Sequence, residues 1–253
     1  MKFENTEVFN FEGALRGMRN PKNSWNKSDS HLCFFQNDEC EKCLNYINGF
    51  NQKYKACIDK GVRWEPYYIG ENDMKLAQAL IAAGSEHAKF LRQIFVSVDI
   101  TAPEYIWSQI DTYKIGTTAN STSKMHRLAN TPITQECFEM EDYDGRIIIY
   151  NREPYDIDYD VSELWADIID RCEILRQKYN ETKDMRYWKE LIRILPESWL
   201  QTRTWTANYA VLRNMYKQRC ATPHKLTEWQ AFGSWIKSLP YAKEILLYEK
   251  EIV

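Results

Sequence analysis

Residues 84–128 read GSEHAKFLRQIFVSVDITAPEYIWSQIDTYKIGTTANSTSKMHRL, and the order of signals inside them decides the fold class. Phe95 to Ile100 alternates apolar and polar side chains with period two, the pattern of a half-buried strand. Thr101-Ala102-Pro103-Glu104 then offers a capping hydroxyl, a proline and an early acid, which together start a helix. A strand that runs straight into a helix is the local unit of a mixed α/β chain. Ahead of the strand, Glu86 and His87 form an adjacent acid–imidazole pair. Behind the helix, Gly116 to Ser123 is a compact run of small hydroxyl and amide residues. Backbone N–H groups and hydroxyls in such a run wrap a phosphate or a ribose. The same composition also makes an ordinary turn-rich surface connection, and the residues leave both readings open.

Outward from this centre the signals are mostly helical. Asn72 is placed to cap a helix with apolar positions Leu76, Ala77, Leu80 and Ile81, stopped by Gly84. The first twenty residues predict a short strand with Phe9 and Phe11 alternating about Asn10. A short helix with Ala14, Leu15 and Met18 follows, ended by Asn20-Pro21. On the C-terminal side Asp144-Gly145 precedes a strand over Arg146–Tyr150. Asp160 and Glu163 stand at capping-box spacing ahead of the stripe Val161, Leu164, Trp165, Ile168, Cys172 and Leu175. A further helix begins after Thr182 and ends before Pro196. Gln201–Thr206 predicts a short strand, and Asn208 caps a helix through Tyr209, Leu212, Met215 and Tyr216. The last helices carry Leu226, Trp229, Phe232 and Ile236, then Ile245, Leu246 and Tyr248.

Residues 22–66 are set apart as an insertion or variable segment. Cys40-x-x-Cys43 has the spacing of half a zinc site, with His31 and Cys33 as an approximate second half. Leu44, Ile47, Phe50 and Tyr54 recur at helical spacing around these thiols, which fits a thiol-bearing helix equally. No metal site is assigned. The whole chain, 1–253, reads as a single helix-rich α/β (α+β) domain with a short sheet and several long helices.

Composition narrows the function classes. The chain has 253 residues, enough for a substantial core. A formal net charge of −3 argues against a nucleic acid polymer as partner, since phosphate-backbone binding needs clustered Lys and Arg; a single nucleotide is still allowed. Aromatic residues reach 14%, a load suited to cores and subunit interfaces. No apolar run approaches the roughly 18 residues of a membrane span, and the N-terminus lacks the pattern of a signal peptide. Seven cysteines cannot all pair within the chain, as expected of reduced thiols in a cytoplasmic protein.

In order along roughly residues 70–240, these features resemble the flavin-dependent thymidylate synthases, the thymidylate synthase complementing proteins, in a divergent, phage-like form. That family has a Glu-His pair leading into a strand, and Glu86-His87 stand for it. Its signature RHRxxSxNxxSxRY falls on Tyr113 to His126, with Thr118 on the first Ser, Asn120 on the Asn and Ser123 on the second Ser. Leu195-Pro196 match a later Leu-Pro. Asn208, Leu212 and Arg219 keep the Asn, Leu and Arg of a C-terminal helix, and Glu228 the acid of the last segment. The Arg-His-Arg positions are Tyr113, Lys114 and Ile115, the late Arg is Met125, and the terminal Arg is Gln230.

The resemblance implies a homotetramer that methylates dUMP to dTMP. Methylenetetrahydrofolate supplies the carbon, FAD carries the hydride, and NADPH replenishes it. By the same resemblance Ser123 and Arg219 act on the nucleotide. Glu86, His87, Lys114, Thr118, Asn120 and Asn208 fall in the cofactor pocket, with Lys114 the one cation left where the family has Arg-His-Arg. The alternative it leaves is a catalytically inactive nucleotide-binding or oligomeric scaffold protein of the same fold.

Overall fold

The computed structural model describes residues 1–33, 55–141, 143–152 and 157–250. β1 (Lys2–Phe9) leads into α1 (Phe11–Arg19), with Asn10 between them in the left-handed region at φ 71°. The strand thus lies wholly before Asn10, and Phe11 opens the helix instead of continuing the alternation. Phe11, Ala14, Leu15 and Met18 bury one face of α1; each large one contributes roughly 1.5–3 kcal/mol. Two 3-10 turns, Asn20–Lys22 and Trp25–Lys27, precede β2 (His31–Leu32), β3 (Val62–Trp64) and β4 (Tyr67–Tyr68).

The helix expected from Asn72 is α2 (Glu71–Ala82), but Asn72 does not cap it. The carboxylate of Asp29 accepts the backbone N–H groups of Asn72 at 2.9 Å and Asp73 at 3.2 Å. A cap delivered from 43 residues away leaves no mark on local spacing. The period-two stretch becomes β5 (Phe95–Pro103), with burial alternating along it, and α3 (Glu104–Ile110) starts at the expected place. The polar run behind it is no simple loop. Thr118–Ser121 form β6, an edge strand with all four residues exposed; an edge needs no apolar alternation, which hid it.

α4 (Lys124–Asn130) follows, then β7 (Ile148–Arg152) and β8 (Ile157–Asp160), an antiparallel pair. Asp160 and Glu163 close the capping box that opens α5 (Val161–Thr182). α6 (Met185–Ile194) is capped by Asp184. β9 (Leu200–Asn208) then turns into α7 (Tyr209–Met215), capped by Asn208, and a π-helical turn at Tyr216–Cys220. α8 (Glu228–Ser238) and a second π-helical turn, Ala242–Leu246, complete the described chain.

The larger sheet has the order β3-β1-β5-β9-β6, with β1 and β3 parallel. Two compact units divide the chain: residues 1–100, 111–120 and 203–253 form the first, and 101–110 with 121–202 the second. In the first, Phe11 meets Trp64, Tyr209 and Tyr241 edge-on. The Tyr209 hydroxyl donates to the Pro240 carbonyl at 2.6 Å, and that of Tyr241 to the Tyr67 carbonyl at 2.8 Å. Burial holds both phenols well above their ordinary pKa. In the second, Leu128, Phe138, Cys172, Trp188, Leu191 and Trp199 make the core.

Cys33, Cys57, Cys137, Cys172 and Cys220 are not in disulfides. Cys40 and Cys43, named for a possible zinc site, lie outside the described residues. Among the described residues no helix is long and apolar enough to cross a membrane.

Candidate functional site

Arg219 is the functional candidate that the first unit holds most firmly. β9 ends at Asn208, whose side-chain oxygen accepts the Val211 N–H at 3.0 Å and so starts α7. α7 then widens: the Ala221 N–H reaches the Tyr216 carbonyl five residues back at 2.9 Å. Such π turns recur at functional positions, and this one carries Arg219. The Arg219 Nε donates to the Tyr113 hydroxyl at 3.3 Å, and its guanidinium carbon lies 5.5 Å from the centroid of Trp229. Tyr113 in turn donates to Gln218 Oε1 at 2.8 Å. Gly233 lets α8 approach this turn, since a Cβ there would meet the Cys220 Cβ at 2.8 Å.

The loop carrying Tyr113 is shaped by its neighbours. Thr117 Oγ1 donates to the Tyr113 carbonyl at 2.6 Å, closing the turn. Gly116 sits at φ 79°, and a Cβ on it would fall 2.6 Å from Asn208 Nδ2. Lys114 and Ile115 project from the tip, Ile115 with 90% of its surface exposed. The 113–116 loop therefore runs alongside α7, with Gly116 against Asn208 at the start of the helix and Tyr113 against Arg219 on the turn beyond its end. Asn208 serves there as a helix cap that also limits the approach of the loop.

The other sequence-derived residues stand elsewhere. Glu86 and His87 are exposed in a turn after α2, with Arg92 3.9 Å from the Glu86 carboxylate. Thr118 and Asn120 are exposed on β6. Ser123 belongs to the second unit, just ahead of α4. It is exposed, its carbonyl accepts the Arg127 N–H at 3.0 Å, and its hydroxyl caps nothing.

Beside Ser123 the second unit holds residues that sequence reasoning missed. Lys124 Nζ lies 3.0 Å from Glu104 Oε2, and Gln201 Nε2 donates to the Thr122 carbonyl at 3.0 Å. The other Glu104 oxygen, Oε1, and Ser198 Oγ are buried without a hydrogen-bond partner among the described residues. Buried unsatisfied oxygens are rare and costly, so these two mark a polar position beside the Ser123 segment. The one available signal was Glu104 at a helix start, which reads as an ordinary dipole-favoured acid.

The exposed side chains of the first-unit loop and β6 fit a flavin dinucleotide in part, with one cation and no guanidinium fork. Lys114 offers a point charge for phosphate, and Thr118 and Asn120 offer exposed hydrogen-bonding groups.

No protein-family profile matches the chain, and no curated protein matches it. Solved structures do. The flavin-dependent thymidylate synthase ThyX from Helicobacter pylori, complexed with FAD and dUMP, matches with a TM-score of 0.58 at 14% identity, over 97% of each chain. A second structure of that enzyme with FAD and dUMP gives 0.57 at 13% identity, again over 97% of each chain. The UMP/dUMP methylase PolB from Streptomyces cacaoi, bound with 5-Br dUMP, matches with a TM-score of 0.47 at 16% identity over 69% of this chain and 79% of that one. The chain has the fold of the flavin-dependent thymidylate synthases, the helix-rich α/β architecture that its sequence implies.

Proposed function

We propose that this chain binds dUMP and methylates it to dTMP in a flavin-dependent reaction, as a cytoplasmic homo-oligomer. The observation that carries the reading is Arg219 on its π turn, held by Tyr113 and Trp229, in a fold whose solved examples hold FAD and dUMP. A guanidinium presented edge-on supplies the planar donors that a uracil carbonyl edge or a phosphate accepts.

Arg219 orients the nucleotide. Lys114, Thr118 and Asn120 hold the cofactor. Asn208 fixes how close the loop comes. When bound, FAD supplies the hydride that NADPH renews, while methylenetetrahydrofolate supplies the carbon. The protein binds, orients and excludes water; the cofactors carry the chemistry.

A second reading is favoured by Tyr113. Where the family has the first arginine of Arg-His-Arg, this chain has a phenol bonded to Gln218 and Arg219, and a phenol does not replace a guanidinium at a phosphate. In that reading the fold binds a nucleotide without catalysis, as a scaffold.

The visible absorption spectrum of the purified protein, before and after FAD and dUMP, separates the two. A flavin band that shifts with dUMP supports the enzyme and leads to an assay of folate-dependent dTMP formation. A colourless protein that ignores FAD but binds dUMP overturns the enzyme reading and leaves the scaffold.

A further inference from the structure

The two 3-10 turns after α1 stand beside the first turns of α2, and a pocket of about 670 Å³ opens there, within the range of small-molecule sites. Three cations, Arg19, Lys22 and Lys27, and three carboxamides, Asn23, Asn26 and Asn72, line it; no carboxylate does.

The nearby acids are committed elsewhere. Asp73 is fully buried; its Oδ1 accepts Arg19 Nε at 2.5 Å, and its Oδ2 accepts the hydroxyls of Ser28 and Ser30, each at 2.6 Å. Asp29 is spent on the backbone N–H groups that open α2. The lining donors are not. Arg19 has a side chain only 5% exposed, with Nε on Asp73 and Nη1 on the Ser24 carbonyl, and its Nη2 donates to no described residue. Lys22 and Lys27 form no ion pair with any described residue, and the Asn23, Asn26 and Asn72 amides are unengaged among them. Leaving a nearly buried guanidinium half-used is unfavourable unless an acceptor arrives.

We propose that this pocket binds a small molecule through a di- or triphosphate group, with Lys22 and Lys27 neutralising its charge and Arg19 and the carboxamides fixing its oxygens. A ligand that only accepts hydrogen bonds and carries several negative charges matches a lining of donors with no acid. The volume accommodates more than one phosphate. The proposal stands apart from the flavin reading, which uses none of these residues.

The test is calorimetric titration of the full chain with pyrophosphate and, in parallel, with ADP. Saturable one-site binding is expected. It should weaken at least about tenfold in Lys22→Ala/Lys27→Ala, and similarly in Asn26→Asp, which sets a carboxylate among the cations. All three side chains are exposed, so an unchanged melting temperature certifies the variants as folded. Tighter binding of ADP assigns a nucleoside carrier, and equal affinities assign a bare polyphosphate. The proposal is overturned if neither probe binds saturably, if the variants bind as wild type does, or if inorganic phosphate binds as tightly as pyrophosphate. dUMP binding, measured on the same double variant, should be unchanged.

Discussion

Arg219 and Tyr113 are joined side chain to side chain, Nε to hydroxyl at 3.3 Å, across 106 residues of sequence. The bond ties the π turn after α7 to the loop at residues 113–116. It aims the guanidinium with one phenol and leaves the Trp229 ring to support its face. Arg219→Lys keeps the charge and loses both the planar fork and the stack. dUMP affinity should fall about tenfold or more, since charged hydrogen bonds are worth ~1.5–3 kcal/mol. Tyr113→Phe should weaken dUMP several-fold with little change in unfolding free energy. Equilibrium dialysis with denaturant melts checks both, and normal dUMP binding by Arg219→Lys removes the residue from the site.

Lys114 is the exposed cation of the same loop. Lys114→Ala should weaken FAD or dUMP binding and leave stability within about 0.5 kcal/mol, as for a surface side chain. Flavin fluorescence titration measures it, and an unchanged affinity for both ligands ends its assigned role.

Gly116 is a backbone position that only glycine fills well. At φ 79° a side chain is strained, and its Cβ would press on the Asn208 amide. Moving that amide also disturbs the α7 cap. Gly116→Ala should therefore cost about 1–3 kcal/mol, the sum of left-handed strain and part of a cap. Urea unfolding reads this directly. Asn208→Ala should cost about 1 kcal/mol through the cap alone.

Arg19 and Asp73 form a buried pair. Burial pushes the Asp73 carboxyl up, but Ser28, Ser30 and Arg19 outweigh it and hold the group below its ordinary range. Asp73→Ala strands the guanidinium and should cost about 3–5 kcal/mol. Arg19→Met/Asp73→Leu should recover part of that, because the apolar pair leaves no buried charge. Thermal melts of the two variants give the comparison.

The pH response of the second unit should be dominated by Glu173. Hydrogen bonds from Arg176 hold its carboxyl down at about 2 despite partial burial, with help from the Ile133 N–H and Gln177. The unfolded value is about 4.3, so the folded pKa is depressed. Its stabilisation is present above that value and is lost as pH falls from about 4.3 toward 2. Glu173→Gln should cost about 1–3 kcal/mol at pH 7 and flatten the stability profile across that window.

Some of this architecture is legible in the sequence because local chemistry writes it there. The alternation of Phe95–Ile100, the Asp160–Glu163 box and the Asn208 cap all act within a few residues, and each appears where spacing predicts. What acts at a distance is invisible to spacing: Asp29 replaces Asn72 as the cap of α2. β6 is hidden for another reason, since an exposed edge strand shows no inward face. Of the candidate site, Arg219 meets Tyr113, the neighbour of Lys114, while Glu86 and His87 stand on their own exposed turn. Glu104 and Ser198 carry no motif; only their unsatisfied oxygens single them out.

The π turn at Tyr216–Cys220 has a consequence for how this helix is matched to others. A five-residue hydrogen-bond step is an α-helical turn that has absorbed one extra residue. Side chains beyond it are rotated relative to an unbroken helix counted from the same Asn. Leu212 and Arg219, seven apart, would share a face on a regular helix; here Arg219 lies on the widened turn, where its Nε reaches Tyr113 while Leu212 and Met215 are buried. A gap-free alignment of this segment with an unbroken helix would pair equal positions with unequal directions. Homologous residues past Tyr216 are better identified by what they touch than by how far they lie from the cap.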